Sequence, residues 1–308
     1  MPKLEANGLQ IEYDAFGNTS DDALLLIMGL GTQMTAWSVD FCETLAAHGH
    51  YVVRFDNRDI GLSTKFEGAP APSRARYLLH QVFGVPIHAP YSLDDMADDA
   101  AGVLDALGIE AAHIVGASMG GMIAQLMTVN HPQRVRTLTS LMSSSGDPRL
   151  PSARPDLVRH ILMNRPNNND TDAILDHMTK SLMLLGGAGY PRDESELRAF
   201  ASAALERSFY PKGFTRQMAA IVADGSRVQR LKTISTPTLV IHGDDDPLVP
   251  VECGIDTAKH IDGARLEIID GMGHDLPPQL IATLTSMIAD HTANSLVAER
   301  PKAQANEN

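Results

Sequence analysis

Short apolar runs alternate with helical stripes along most of the chain. "LQIEYDAF" (9–16) alternates apolar and polar positions, as a half-buried strand does. "ALLLIM" (23–28), "YVVRFD" (51–56), "AHIVGA" (112–117), "TLTSLMS" (137–143), "TLVIHG" (238–243) and "RLEIID" (265–270) are short apolar segments, the form of strands buried on both faces. The clearest helix is "SLDDMADDAAGVLDALGI". Ser92 is placed to cap it, Asp94 and Asp95 suit its first turn, Met96, Val103, Leu104 and Leu107 form one stripe, and Gly108 ends it. This alternation predicts an α/β protein with a mostly parallel central sheet and helices on both faces, with ligands at the carboxyl ends of the strands.

One region breaks the rhythm. From about Asp147 to Arg230 there is no convincing strand; helical segments such as "DAILDHMTKSLMLL" and "ESELRAFASAALERSF" are joined by "NRPNNND" and "GGAGYPRD". The expected organisation is a core of residues 1–146 and 231–296, a helical cap inserted at 147–230, and a disordered polar tail at 297–308. Inserted at the carboxyl edge of a sheet, the cap would roof the ligand site. Its Met163, Met178, Met183 and Leu184 would suit an apolar cavity, and "GGAGYP" (186–191) a hinge.

Composition narrows the function classes. The chain has 308 residues, long enough for one large core, and its net charge of −13 is spread without a block of like charges, which disfavours a nucleic-acid surface. Two cysteines, Cys42 and Cys253, without C-x-x-C spacing indicate neither a disulfide framework nor a zinc site. The start, "MPKLEANGLQ", lacks the apolar run of a secretory signal, and no stretch reaches 18 uninterrupted apolar residues. A cytoplasmic protein without a stable membrane anchor is expected, either monomer or homodimer.

The chemistry concentrates in "HIVGASMGGMIAQ" (113–125), where a strand pattern gives way to a helical one through Gly116-Ala117-Ser118-Met119-Gly120, a G-x-S-x-G sequence. Small residues at 116 and 120 let strand and helix approach while Ser118 takes a strained backbone and projects its hydroxyl above the helix N-terminus. There the Met119 N–H can stabilise a developing oxyanion. A serine nucleophile needs a base and a group to orient it. Of twelve histidines, His274 in "DGMGHDLP" lies after the last strand, at the sheet edge that carries Ser118. For the acid, Asp244, Asp245 and Asp246 share one loop, with Asp147 as a further candidate, and the residues themselves leave the choice open. Leu30, between Gly29 and Gly31 after an early strand, is placed to supply a second oxyanion N–H.

Four segments carry a family resemblance: "MGLG" at 28–31, "FDNRDIGLS" at 55–63, "GASMGG" at 116–121, and "GDDDPLVP" with "GMGH" at 243–250 and 271–274. Together they resemble the α/β-hydrolase fold across nearly the whole chain, and most closely the aclacinomycin methylesterase group of bacterial esterases. The resemblance implies Asp246 as the acid, from its place between the glycine and proline of G-x-x-D-x-x-x-P. Asp59 stands where the family's D-x-R-G-x-G-x-S has its second-segment glycine, so that turn is expected to be built differently. Met28 stands where a histidine often precedes the oxyanion loop.

The implied activity is hydrolysis of a small to medium apolar ester through an acyl-enzyme on Ser118, with His274 as base, Asp246 behind it and no cofactor or metal. Other acyl chemistry fits the same residues: carbon–carbon bond hydrolysis, enol-lactone opening, release of N-terminal proline, or perhydrolysis. So does a ligand receptor on the same scaffold without turnover. A serine at position 118 disfavours the dehalogenase and epoxide hydrolase relatives, which use aspartate there.

Overall fold

The computed structural model describes residues 1–73, 76–77, 79, 83–163 and 166–299. Eight strands form its central sheet: β1 (Lys3–Ala6), β2 (Leu9–Phe16), β3 (Asp22–Ile27), β4 (His50–Phe55), β5 (Ala112–Ala117), β6 (Val135–Leu141), β7 (Thr238–Gly243) and β8 (Arg265–Ile269). Their order is β1-β2-β4-β3-β5-β6-β7-β8; β1 and β2 are antiparallel to their neighbours, and all other pairings are parallel. The mostly parallel sheet expected from the sequence is therefore present, with one addition. β1 escapes the apolar pattern because it is four residues long and half exposed. Its signal is the Asn7-Gly8 pair, whose positive φ values (48° and 75°) make the two-residue turn that pairs β1 with β2.

Alternate residues of the central strands go to opposite faces, which explains their uninterrupted apolar runs. Leu25 and Ile27 of β3 and Ile114 of β5 pack with Met96, Val103 and Leu104 of α2 (Leu93–Ala106) and with Ile123 and Leu126 of α3 (Met119–Asn130). Leu24, Leu26 and Val115 join Phe41 and Leu45 of α1 (Val39–Ala47), Trp37, and Leu284 and Ile288 of α10 (Ile281–Glu299). Helix α2 has the predicted ends. Ser92 Oγ accepts the Asp95 N–H (3.0 Å), Asp95 Oδ2 accepts the Ser92 N–H (2.7 Å), and Gly108 has φ +68° just past the C-cap.

Between β6 and β7 the described residues form only helices: α4 (Pro155–Val158), running into a π turn (Arg159–Met163), then α5 (Thr171–Leu185), α6 (Glu194–Arg207), α7 (Pro211–Asp224) and α8 (Val228–Leu231). After β7 comes α9 (Val251–His260). Helix α10 carries the chain through Glu299, past the tail boundary expected at 297; residues 300–308 lie outside the described residues. No helix among the described residues is long and apolar enough to cross a membrane.

Candidate active site

Ser118 joins β5 to α3 with φ 56° and ψ −122°, a conformation costing about 1–3 kcal/mol for a residue with a Cβ. The surroundings hold it there. Ser118 N–H donates to the Leu141 carbonyl (2.9 Å), and the Ser118 carbonyl accepts from Gly121 N–H, Met122 N–H and Ser143 Oγ. The glycines serve close approach: a Cβ on Gly116 would lie 2.1 Å from the Gly120 carbonyl oxygen, and one on Gly120 would lie 2.0 Å from that of Ile27. Ser118 Oγ is half-buried and makes no hydrogen bond to a described residue, and the Met119 N–H beneath it also lacks a partner among them.

The loops after β7 and β8 bring His274 to Asp246. His274 Nδ1 lies 2.7 Å from Asp246 Oδ2, and since an ionised carboxylate only accepts, Nδ1 is the donor in this bond and Nε2 is the ring nitrogen left for other partners. Asp246 Oδ1 is filled by the N–H groups of Leu248 (2.9 Å) and Val249 (2.8 Å), which fix the carboxylate plane. Burial alone would push the Asp246 carboxyl up. The neighbouring His274, with hydrogen bonds from His242, His274 and Val249, instead holds it well below the usual carboxylate range.

The three neighbouring aspartates divide the work. Asp244 Oδ1 accepts the Gly271 N–H (2.7 Å) and steadies the loop that bears His274, while Asp245 Oδ2 accepts the Ala188 N–H (2.7 Å) of the inserted region. Asp246 alone of these reaches His274. Asp147 is occupied by Arg149, whose Nη2 lies 2.5 Å from Asp147 Oδ2.

Leu30 sits in a loop opposite Ser118. A Cβ on Gly29 would come within 3.1 Å of Ser118 Cβ, so the loop passes directly over the serine, and the Leu30 N–H has no partner among the described residues. Met28 contributes its carbonyl, which accepts from Asn57 Nδ2 (2.8 Å); Asp56 Oδ1 accepts the Met34 N–H (2.8 Å) and Oδ2 the Leu62 N–H (2.8 Å). The "FDNRDIGLS" segment thus braces the loop without a histidine at position 28. Asp59 has φ 72°, the left-handed form open to glycine, so its departure from the family pattern lies in the side chain rather than the turn. Its carboxylate meets Arg216 of α7 through two bonds (2.7 and 2.8 Å), both side chains fully buried, and also accepts from Tyr91 Oη (2.7 Å) and the Phe66 N–H (2.8 Å).

Other residues line this neighbourhood in ways the sequence does not announce. His242, fully buried in β7, has Nε2 2.7 Å from the Val249 carbonyl and 3.5 Å from Asp246 Oδ2. Gln217 of α7 bonds to both Gly31 and Arg58. Met183 lines a cavity of about 180 Å³ with Leu182, Tyr190, Arg192, Leu197 and Asp275, yet is 47% exposed. Met178 and Leu184 are half-buried, and the Met163 side chain lies outside the described residues. The 186–191 segment, expected as a hinge, packs tightly: Gly189 N–H donates to the Gly271 carbonyl (3.0 Å), and a Cβ on Gly187 would lie 2.3 Å from the same oxygen.

The family model described as the alpha/beta hydrolase fold matches residues 22–278. The chain belongs to the α/β-hydrolase fold family. This α/β hydrolase is 31% identical over 303 residues to a rhodomycin D methylesterase of Streptomyces sp. strain C5, an alignment covering 92% of this chain and 95% of that relative. It is 30% identical to a 2-hydroxymuconate semialdehyde hydrolase of Pseudomonas sp. strain CF600, over 68% of this chain and 72% of the relative. Among solved structures, a meta-cleavage product hydrolase from Pseudomonas fluorescens IP01 superposes with a TM-score of 0.75 at 21% identity, covering 96% of this chain and 98% of the other. The likeness to bacterial methylesterases read from the motifs is thus matched by full-length relatives, and the solved structure agrees in fold.

Proposed function

We propose that this α/β hydrolase is a carboxylic ester hydrolase using Ser118, His274 and Asp246. The observation that carries the reading is the 2.7 Å bond between His274 Nδ1 and Asp246 Oδ2, which leaves Nε2 as the basic nitrogen at the sheet edge where Ser118 stands. Ser118 Oγ attacks the ester carbonyl while His274 Nε2 takes its proton, and Asp246 stabilises the imidazolium. The N–H groups of Leu30 and Met119 donate to the tetrahedral oxyanion. The intermediate collapses by breaking the carbon–oxygen bond to the alcohol, which leaves with the proton from His274. Water, deprotonated by His274, then attacks the acyl-Ser118 ester, releasing the acid and restoring the serine hydroxyl.

The likeness to rhodomycin D methylesterases over nearly the full chain favours a methyl ester of a small to medium apolar acid. A second reading, hydrolysis of a carbon–carbon bond, draws on the 2-hydroxymuconate semialdehyde hydrolase relative. Steady-state assays with p-nitrophenyl and methyl esters, and with a ring-cleavage dienoate, separate the two. Ser118→Ala is expected to abolish ester hydrolysis with its melting temperature essentially kept; ester turnover at the parent rate in that variant overturns the proposal.

A further inference from the structure

The inserted helices do more than cover the sheet edge. Helix α7 enters the core through one face: Gly213, Arg216, Gln217 and Ala220 follow helical spacing, and Arg216, Gln217 and Ala220 are fully buried. Gly213 makes the approach possible, because a Cβ there would lie 2.1 Å from the Asp59 carbonyl oxygen. Arg216 closes on Asp59 as described above. One residue further on, Gln217 Oε1 accepts the Gly31 N–H (2.9 Å) while its Nε2 donates to the Arg58 carbonyl (2.8 Å). A single buried amide therefore ties the loop bearing Leu30 to the loop that braces it. Phe214 packs on the same peptide: a Cβ on Gly31, which has φ +66°, would lie 2.4 Å from its ring.

From this placement we propose that Gln217 is a positioning residue for the oxyanion loop, holding the Leu30–Gly31 peptide so that the Leu30 N–H faces the carbonyl oxygen of the ester attacked by Ser118. The inference rests on the ester hydrolase reading given above. Core residues fix the flanks of the loop, with Asn57 on Met28 and Asp56 on Met34; between them the Gly31 N–H is held by a side chain 186 positions away. A donor that stabilises only the transition state contributes when its direction is set before the reaction, and outright loss of one such donor costs about 10²–10³ in rate. Releasing Gly31 leaves the Leu30 N–H present but free to turn. The loss then falls on kcat and leaves substrate binding nearly unchanged.

The test compares three variants on p-nitrophenyl acetate, at a temperature where each is folded by circular dichroism. Gln217→Met keeps the volume and removes both bonds; kcat is expected to fall about 10- to 100-fold with KM within about twofold. Gln217→Glu keeps an acceptor for the Gly31 N–H and should recover kcat to within about fivefold of the parent. Should Gln217→Met fail to fold, Gln217→Asn, polar but one methylene too short to span both partners, takes its place with the same expected loss. A parental kcat in the Met or Asn variant, or a loss confined to KM, overturns the inference. Ser118→Ala, assayed alongside, separates the outcomes: its inactivity together with a parental kcat for Gln217→Met sinks only the role of Gln217, whereas its retained activity sinks the ester hydrolase reading.

Discussion

The helices between β6 and β7 meet the rest of the chain at two seams beside the candidate active site, held by different means. At the His274 loop the contacts are made mainly by backbone and by absent side chains, with Asp245 Oδ2 accepting the Ala188 N–H (2.7 Å) beside them. His274 N–H donates to the Leu185 carbonyl (2.7 Å), Gly189 N–H to that of Gly271 (3.0 Å), and a Cβ on Gly273 would lie 2.2 Å from the Gly187 nitrogen. At the Leu30 loop the contacts are long side chains: the buried Arg216 on Asp59 and Gln217 on Gly31 and Arg58, and the half-buried Arg207 on Gln33 (2.6 Å) and Asp56 (2.8 Å). The glycine seam depends mainly on close backbone fit and backbone hydrogen bonds. The side-chain seam depends on every buried charge keeping its partner, since an ion pair out of water roughly balances its own desolvation and becomes costly once halved.

The two seams also respond oppositely to pH. Burial pushes the Asp59 carboxyl up, but hydrogen bonds from Arg216, Phe66 N–H and Tyr91 together with the Arg216 charge hold it below the usual range. Its stabilisation is therefore present above the unfolded carboxylate pKa of about 4 and is lost on acidification below that value. At the glycine seam, burial pushes Asp275 up to about 6, a shift that Arg192 and His274 only partly oppose. The neutral acid is favoured there, so its contribution is full below about pH 4 and is lost as pH rises through about 6.

Five variants probe this contrast and the strain at Ser118. The largest effect is expected from Asp59→Ala, which leaves the Arg216 guanidinium buried without its carboxylate; urea denaturation should show a loss of about 3–5 kcal/mol. Asp59→Gly combined with Arg216→Met, removing both charges and keeping a residue at ease with φ 72°, should recover most of it. Next comes Gly273→Ala, whose methyl has no room at the other seam: a loss of about 1–3 kcal/mol is expected, insensitive to salt and accompanied by a lower kcat because His274 follows in the chain. Asp275→Asn should stabilise by about 1 kcal/mol at pH 8, with the difference from the parent vanishing below pH 4; a constant difference across that range would show that ionisation plays no part. Smallest is Ser118→Gly, expected to raise stability by up to about 1 kcal/mol as the φ 56° strain is relieved, with hydrolysis lost.

The strand ends were far more legible in the sequence than either seam. β5 and β7 fall on the residues their apolar runs mark, because strands buried on two faces leave little freedom of assignment, and β2 falls on its alternating stretch. Ser118 and His274 stood out because each follows a strand and lies among glycines whose spacing has a geometric meaning, whereas the residues alone left Asp244, Asp245 and Asp246 equivalent and only the family resemblance singled out Asp246. Arg216 and Gln217 look like the solvated face of a helix, and their partners Asp59 and Gly31 lie 157 and 186 positions away, so no local pattern reveals the pairing. The one visible sign was Asp59 at a position suited to glycine. An acid in a left-handed turn asks for a compensating partner, which Arg216 supplies from the insertion. The segment 186–191 shows a related limit of sequence: glycines that permit motion and glycines that permit close contact, as Gly187 and Gly189 do against Gly271, look the same.

The central claim is that Ser118 carries the acyl group, and peptide-resolved mass spectrometry tests it most directly. After brief mixing with a p-nitrophenyl ester and acid quench, and separately with a fluorophosphonate, the account predicts one adduct per chain on the peptide containing Ser118, absent in Ser118→Ala. Steady ester turnover with the adduct on another residue, or turnover undiminished in Ser118→Ala, would contradict it.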